Sequence, residues 1–242
     1  MLSACRVSFL CVFALALAGC ASAATNVSTG ENDPYESFNR KTFALNESMD
    51  KHVARPIAVF YTRAVPGIAR DGIHNFLTNL GMPVTFINDV LQGEPKRAVD
   101  TFGRFVVNSS AGVGGLVDVA QKTGIPEHTS DFGETLGVYG VEEGPFLVLP
   151  LLGPSNPRDA FGYGADVAMD PMTWVTFRSS DFFKLGKGVA GIIDERAQNI
   201  DTLDQLERTS LDLYATERSL YRQHRQAEIN HGKPNIEDLP NF

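Results

Sequence analysis

The sequence predicts a mainly α fold of short amphipathic helices, interrupted by a short loop or hairpin around residues 140–157. Three observations predict it. Apolar residues recur at three- and four-residue spacing through 70–108 and again through 193–221. Glycine (22) and proline (13) punctuate the 242 residues often enough to keep most helices short. Between 131 and 157 the punctuation is densest, with Gly133, Gly137, Gly140, Gly144 and Gly153 alternating with Pro145, Pro150, Pro154 and Pro157.

The N-terminus comes first. Arg6 supplies a positive n-region, and Val7 to Ala18 an apolar h-region too short to span a bilayer. The run Leu17-Ala18-Gly19-Cys20 has the form of a bacterial lipobox, in which the cysteine is acylated and becomes the first residue. An ordinary secretory signal cut after Ala21-Ser22-Ala23 is the alternative. Residues 1–19 are therefore expected to be a lipoprotein signal peptide and 20–32 an acylated tether. Residues 33–231 then form the folded domain and 232–242 a tail. Stable anchoring needs more than one acyl chain, each buried CH₂ contributing ~0.8 kcal/mol; three chains on Cys20 would meet that need.

Order is expected from Asp33, as N-cap, with Pro34 at the first helical position and Glu36 in the first turn. Phe38, Phe43 and Leu45 give that helix its apolar side, and Pro56 and Pro66 break the next segment. A helix from Asp71 or Gly72 carries Ile73, Phe76, Leu77 and Leu80, with an interruption at Gly81 and Pro83. Val84, Ile87, Val90 and Leu91 resume the period until Gln92-Gly93, and Pro95 opens a helix bearing Ala98, Val99, Phe102, Phe105 and Val106. Gly112, Gly114 and Gly115 lack side chains and permit close approach to another backbone or a lipid. Trp174, Phe177, Phe182 and Phe183 suit a membrane interface. After Gly191 a long helix is expected through Tyr221, ended at Gly232-Lys233-Pro234.

Cleavage before Cys20 removes Arg6, taking the net charge from −8 to −9 and leaving 223 of 242 residues. An acidic chain without a basic run argues against nucleic acid as partner. Cys5 and Cys11 leave with the leader, so no disulfide is available. No apolar stretch after the leader reaches the ~18 residues of a spanning helix.

Catalytic signatures are missing: no G-x-S-x-G, H-E-x-x-H, C-x-x-C or P-loop occurs. Gly112-Val113-Gly114-Gly115 lacks the third glycine of a dinucleotide loop. His128-Thr129-Ser130-Asp131 reads as a polar turn with Ser130 or Asp131 capping, because triad members come from separate elements. The five histidines show no metal-ligand spacing, and Glu142-Glu143 has too few organised oxygens for Ca²⁺. No metal, cofactor or enzymatic activity is expected.

Ordered runs carry a family resemblance. They include Asp33-Pro34, Phe38-Asn39-Arg40, Asn75-Phe76, Asn79-Leu80, Asn88-Asp89, Leu91-Gln92-Gly93, Arg104-Phe105, Asn108, Gly112, Gly114-Gly115 and Asp118. The longest run is Asp131 to Gly140, followed by Gly144-Pro145-Phe146, Leu149-Pro150-Leu151, Gly153-Pro154 and Arg158-Asp159. Asp212, Tyr214, Arg218 and Tyr221-Arg222 match more loosely. With the lipobox, this pattern resembles the MlaA (VacJ) lipoproteins of Gram-negative bacteria.

The resemblance implies a ring of amphipathic helices in the inner leaflet of the outer membrane, with a central amphipathic pore. It implies non-enzymatic removal of mislocated phospholipid from the outer leaflet. It also implies association with a trimeric porin and hand-off to an MlaC-like periplasmic carrier. A non-transporting envelope scaffold is the alternative. Asn39, Arg40, Asn75, Asn79, Asn88, Arg104 and Asn108 are candidates for pore or headgroup contact, being polar within apolar helices. Their competing role is structural, as caps or buried hydrogen bonds; for the arginines, phosphate competes with Asp or Glu.

Overall fold

The computed structural model describes residues 33–231; the leader, Cys20, the tether and the tail with its Gly232-Lys233-Pro234 stop lie outside them. The described chain is mainly α. In order it comprises α1 (Glu36–Met49), a π-helical turn (Asp50–Ala54), α2 (Arg55–Ala64), α3 (Gly67–Leu91), α4 (Pro95–Ser110), α5 (Val119–Lys122) and α6 (Phe132–Val138). The hairpin strands β1 (Leu147–Leu149) and β2 (Gly153–Ser155) follow, then α7 (Pro157–Met169), α8 (Pro171–Trp174), α9 (Ser180–Gln198), α10 (Ile200–Thr209) and α11 (Leu213–Ile229).

Several boundaries fall where turn chemistry places them. Val65 is extended ahead of Pro66, which ends α2. Gly93, with φ 73°, ends α3, and Pro95 opens α4. Asp131 caps α6 by accepting from the Glu134 N–H at 2.8 Å, and Asn156 caps α7 with Pro157 in the first turn.

Other boundaries differ from the sequence expectation. Asp33 does not cap α1, which begins at Glu36; its carboxylate is engaged by Tyr214, Arg218 and Asn39 instead. Pro56 does not break the chain. The π turn ahead of it widens the backbone where the proline ring would meet the preceding turn. Pro83 lies inside α3, whose Asn79, Met82, Thr85, Asn88 and Asp89 are buried along one side; that tertiary contact outweighs a propensity cost of ~3 kcal/mol. The long C-terminal helix is three helices. Asn199 interrupts it first, and Asp212 then restarts it as an N-cap on the Ala215 N–H.

Contacts between elements follow a closed circuit. From α3 they pass to α9, the π turn, α1, the hairpin, α11 and α6, and return to α3. The hairpin is antiparallel, pairing Leu147 with Ser155, Val148 with Pro154 and Leu149 with Gly153. Helix α1 holds its outer edge through two amides. Asn39 donates to the Phe146 carbonyl (2.9 Å) and accepts from the Val148 N–H (3.0 Å). Asn46 donates to the Leu149 carbonyl and accepts from the Leu151 N–H, each at 2.9 Å. Seven helical residues rise ~10.5 Å and three strand residues advance ~10 Å, so the two amides meet the strand in register. Beside them Phe146, Val148 and Tyr214 form a small apolar cluster with Phe43 and Tyr221.

Close backbone approach replaces side-chain interdigitation between α6 and α7. A Cβ on Gly162 would lie 2.3 Å from the Gly133 nitrogen. At the α4–α5 turn, Gly115 has φ 95° and a Cβ there would lie 2.7 Å from the Asn79 side chain.

Asn39→Ala is expected to lower stability more than Asn46→Ala, because Asn39 is fully buried and Asn46 is not. Two backbone groups lose their partner, costing roughly 2–4 kcal/mol. Thermal unfolding of the purified, detergent-solubilised protein measures it; equal melting temperatures for Asn39→Ala and the native chain would contradict the clasp.

Candidate functional site

Burial in this fold is inverted. The buried apolar side chains among the described residues are Ala58, Met82, Ala98, Ala120, Phe146, Val148 and Tyr214, and buried polar and charged ones outnumber them. Helix α4 shows how. Ala98, Thr101, Arg104 and Asn108, at spacings of three, three and four, form its buried stripe. Val99, Phe102 and Val106 form the exposed one. Elsewhere Phe60, Ile68, Trp174 and Phe182 are 71%, 90%, 72% and 81% exposed, and the hairpin tip presents Leu151 and Leu152. Apolar surface of this extent on a folded chain marks a surface made to be covered by lipid or protein. No described helix is long and apolar enough to cross a membrane.

The interior is tied by charge. Arg225 on α11 pairs with Asp131 and Asp159, joining α11 to the cap of α6 and to α7. Burial would raise Asp159, but hydrogen bonds from Arg225, Arg158 and Tyr221 outweigh it and hold the carboxyl at about 2. Arg55 and Arg196 converge on Asp204, with Arg196 also on Asp50 at 2.7 Å, tying α2, α9, α10 and the π turn. Asp89, fully buried, accepts from Thr101 (2.6 Å) and faces His128 (2.9 Å).

The sequence-predicted polar positions separate into groups. Arg104 donates to Asp118 (2.7 Å), Glu127 (3.2 Å) and the Ile125 carbonyl (2.8 Å). Asn108 shares Asp118 at 3.0 Å and accepts from the Ala120 N–H. Burial alone would raise Asp118; bonds from the Gln121 N–H, Asn108 and Arg104 outweigh it and lower its pKa. Asn79 donates to Ser109 within the same α3–α4 region, beneath Gly115. Gly112 fits against the Val117 carbonyl, and Gly114 has a positive φ with open space around it. Asn88 lies deeper, donating to Asp166 (2.9 Å) and accepting from Thr135 (2.9 Å). Asn39 and Arg40 are on the far side, by the hairpin. Arg40 clasps Asp212 with two donors and lies 4.4 Å over the Tyr214 ring. Hydrogen bonds to Asp212 and Glu36 raise its pKa further.

Asn75 differs. It donates to the Leu116 carbonyl at 3.3 Å and lines a cleft of about 560 Å³ between the start of α3, α5 and the end of α9. Arg70, Asp71, His74, Lys122 and Asp194 share that lining. Sequence reasoning passed over Arg70, Lys122, Asp204 and Arg225. The one signal for Arg225 was a polar stripe at helical spacing, Tyr214, Arg218, Tyr221 and Arg225, on a helix read for its leucines.

A closed helical ring with charge inside and hydrocarbon outside defines a membrane-associated class rather than a water-soluble bundle. Comparisons with known proteins agree. A model of the MlaA lipoprotein family matches residues 31–228. The intermembrane phospholipid transport system lipoprotein MlaA of Escherichia coli (strain K12) is 37% identical, covering 98% of this chain and 93% of its own. The Haemophilus influenzae protein of the same name is 36% identical, covering 91% and 88%. A solved structure from work on the structural basis for maintenance of bacterial outer membrane lipid asymmetry superposes with a TM-score of 0.73 at 38% identity, covering 82% of this chain and 99% of that one. The chain belongs to the MlaA lipoprotein family.

One interior carboxyl carries a pH signature. Glu217, on α11, lines a smaller cavity of about 170 Å³ beside the hairpin, together with Glu47 and Asp50. Burial, then the charges of Glu47 and Asp50, push it up to about 7. A raised carboxyl binds more protons folded than unfolded, so its contribution to stability falls as pH rises from about 4.5 to 7. Glu217→Gln is expected to match the native chain at pH 4 and to exceed it at pH 8 by about 1–3 kcal/mol. Melting temperatures of both proteins across that range test this; a constant difference would count against it.

Proposed function

We propose that this chain is an outer-membrane lipoprotein that removes mislocated phospholipid from the outer leaflet. It would work through the polar interior of its ring and pass the lipid to an MlaC-like periplasmic carrier. The observation that carries the reading is the inversion of burial: large apolar side chains are exposed on α4 and at the hairpin tip, and charged ones are buried between the helices. Moving a phosphate headgroup through hydrocarbon is prohibitively costly without polar partners. A charged interior supplies them while the acyl tails stay on apolar surface. The relatives' role in intermembrane phospholipid transport supports the same assignment. Acylated Cys20 would hold the ring in the inner leaflet, and a trimeric porin would cover part of the apolar belt. The step is passive, and the carrier downstream sets its direction. Among the polar positions weighed from sequence, Asn75 is assigned to headgroup contact because it opens on the cleft; the others frame the ring.

Deletion of the gene is expected to raise outer-leaflet phospholipid. The native chain should reverse the rise and Cys20→Ala should not, as read by chemical labelling of surface-exposed aminophospholipid in intact cells. No rise, in a strain without a second copy, would move the assignment to an envelope scaffold.

A further inference from the structure

The cleft bounded by the start of α3, α5 and the end of α9 carries charges that no other described residue neutralises. Arg70 has its Nε buried with no hydrogen-bond partner among the described residues. Lys122, on α5, makes no ion pair there either. Asp71 is likewise without a cationic partner. The other two carboxylates of the cleft are committed: Asp118 to Arg104 and Asn108, Asp194 to His74 and Gln198. The open charges are thus two cations and one anion around about 560 Å³, a volume within the range of small-ligand sites.

The rim of the same cleft is apolar. Ile68 and Leu116 line it and are 90% and 46% exposed. A ligand for such a site has an anionic group for Arg70 and Lys122, a cationic group for Asp71, and hydrocarbon that stays outside. A guanidinium with an unfilled donor is suited to a phosphate oxygen, and a lysine adds a point charge beside it. Free phosphate satisfies the cations alone and leaves Asp71 and the apolar rim unused.

We propose that this cleft is a binding site for a zwitterionic phospholipid headgroup, with Arg70 and Lys122 on the phosphodiester and Asp71 on the ammonium. It rests on the function proposed above and names the lipid class that function would favour. Asn75 donates beside the phosphate, and the acyl chains leave across Ile68 and Leu116.

The test uses the full lipoprotein in detergent and three probes: short-chain phosphatidylethanolamine, short-chain phosphatidylglycerol and inorganic phosphate. The native chain is expected to bind the ethanolamine lipid roughly tenfold more tightly than the glycerol lipid, with phosphate failing to compete. Arg70→Gln and Lys122→Gln should each weaken both lipids by roughly tenfold, and Asp71→Asn should erase the difference between them. Because none of the three residues has an ion-pair partner to lose among the described residues, helical content and melting temperature should hold. Equal binding of both lipids by the native chain, full competition by phosphate, or variants that bind like the native chain would each overturn the site. In cells the two proposals separate. If the native chain restores outer-leaflet asymmetry and Arg70→Gln restores it equally, the cleft is wrong and the function stands. If the native chain itself fails to restore it, the function falls.

Discussion

Arg225 on α11 holds Asp131 and Asp159, and the arrangement of three helices depends on those bonds. In a water-soluble helical protein the apolar stripes of α6, α7 and α11 would meet and the hydrophobic effect would hold them. Here Phe161, Tyr163 and Leu220 stay largely exposed, and apolar contact between the helices is limited to pairs such as Phe132 with Phe161, so the hydrophobic effect holds them only in part. Buried ion pairs are a poor source of net stability, because desolvation cancels much of the attraction. They are nonetheless specific, and breaking one by removing a single partner costs ~3–5 kcal/mol. A fold built on them is selective about geometry: the bidentate guanidinium fixes both distance and plane.

That constraint explains the glycines and the amides. Helices drawn together by short polar bonds must approach closely, and Gly133 against Gly162 lets α6 and α7 do so. Where a backbone edge would remain open, a side-chain amide closes it, as Asn39 and Asn46 do along β1. Outside water an open edge is costly, since no solvent satisfies the exposed N–H and carbonyl groups. Helix α1 therefore serves as a neighbour to the hairpin without being a strand.

The helical class, the α3–α4 pair and the hairpin were legible because periodicity and turn residues are local. Gly93 and Pro95 announce the α3–α4 turn; Asp131 is legible as a cap, but the helix it starts, α6, falls in a glycine-dense stretch that reads as loop or hairpin. The sense of each amphipathic helix was not legible. Val99, Phe102 and Val106 form one stripe and Ala98, Thr101, Arg104 and Asn108 another, and the period alone does not say which faces in. Only the family resemblance separated the two readings. Pro56 and Pro83 misled for a related reason: a local cost was overridden by a π turn in one case and by buried contacts in the other. Asp33 misled because its carboxylate serves residues nearly two hundred positions away, Tyr214 and Arg218, which no local rule anticipates.

The same separation in sequence shows why the hairpin matters. The chain closes its circuit where α1, at one end of the described residues, meets α11, at the other: directly, through Arg40 and Phe43 on Asp212 and Tyr214, and through β1 and β2. Each element touches the hairpin by different means: α1 by amides on the outer edge of β1, and α11 by Tyr214 and Tyr221 against Phe146. A bundle could lose a three-residue strand and keep its core. Here the loss would remove one of the two contacts that join α1 to α11. The density of glycine and proline at 131–157 therefore serves that contact rather than loosening the chain. It lets seven residues, 147–153, turn back sharply enough to be gripped from both ends of the chain.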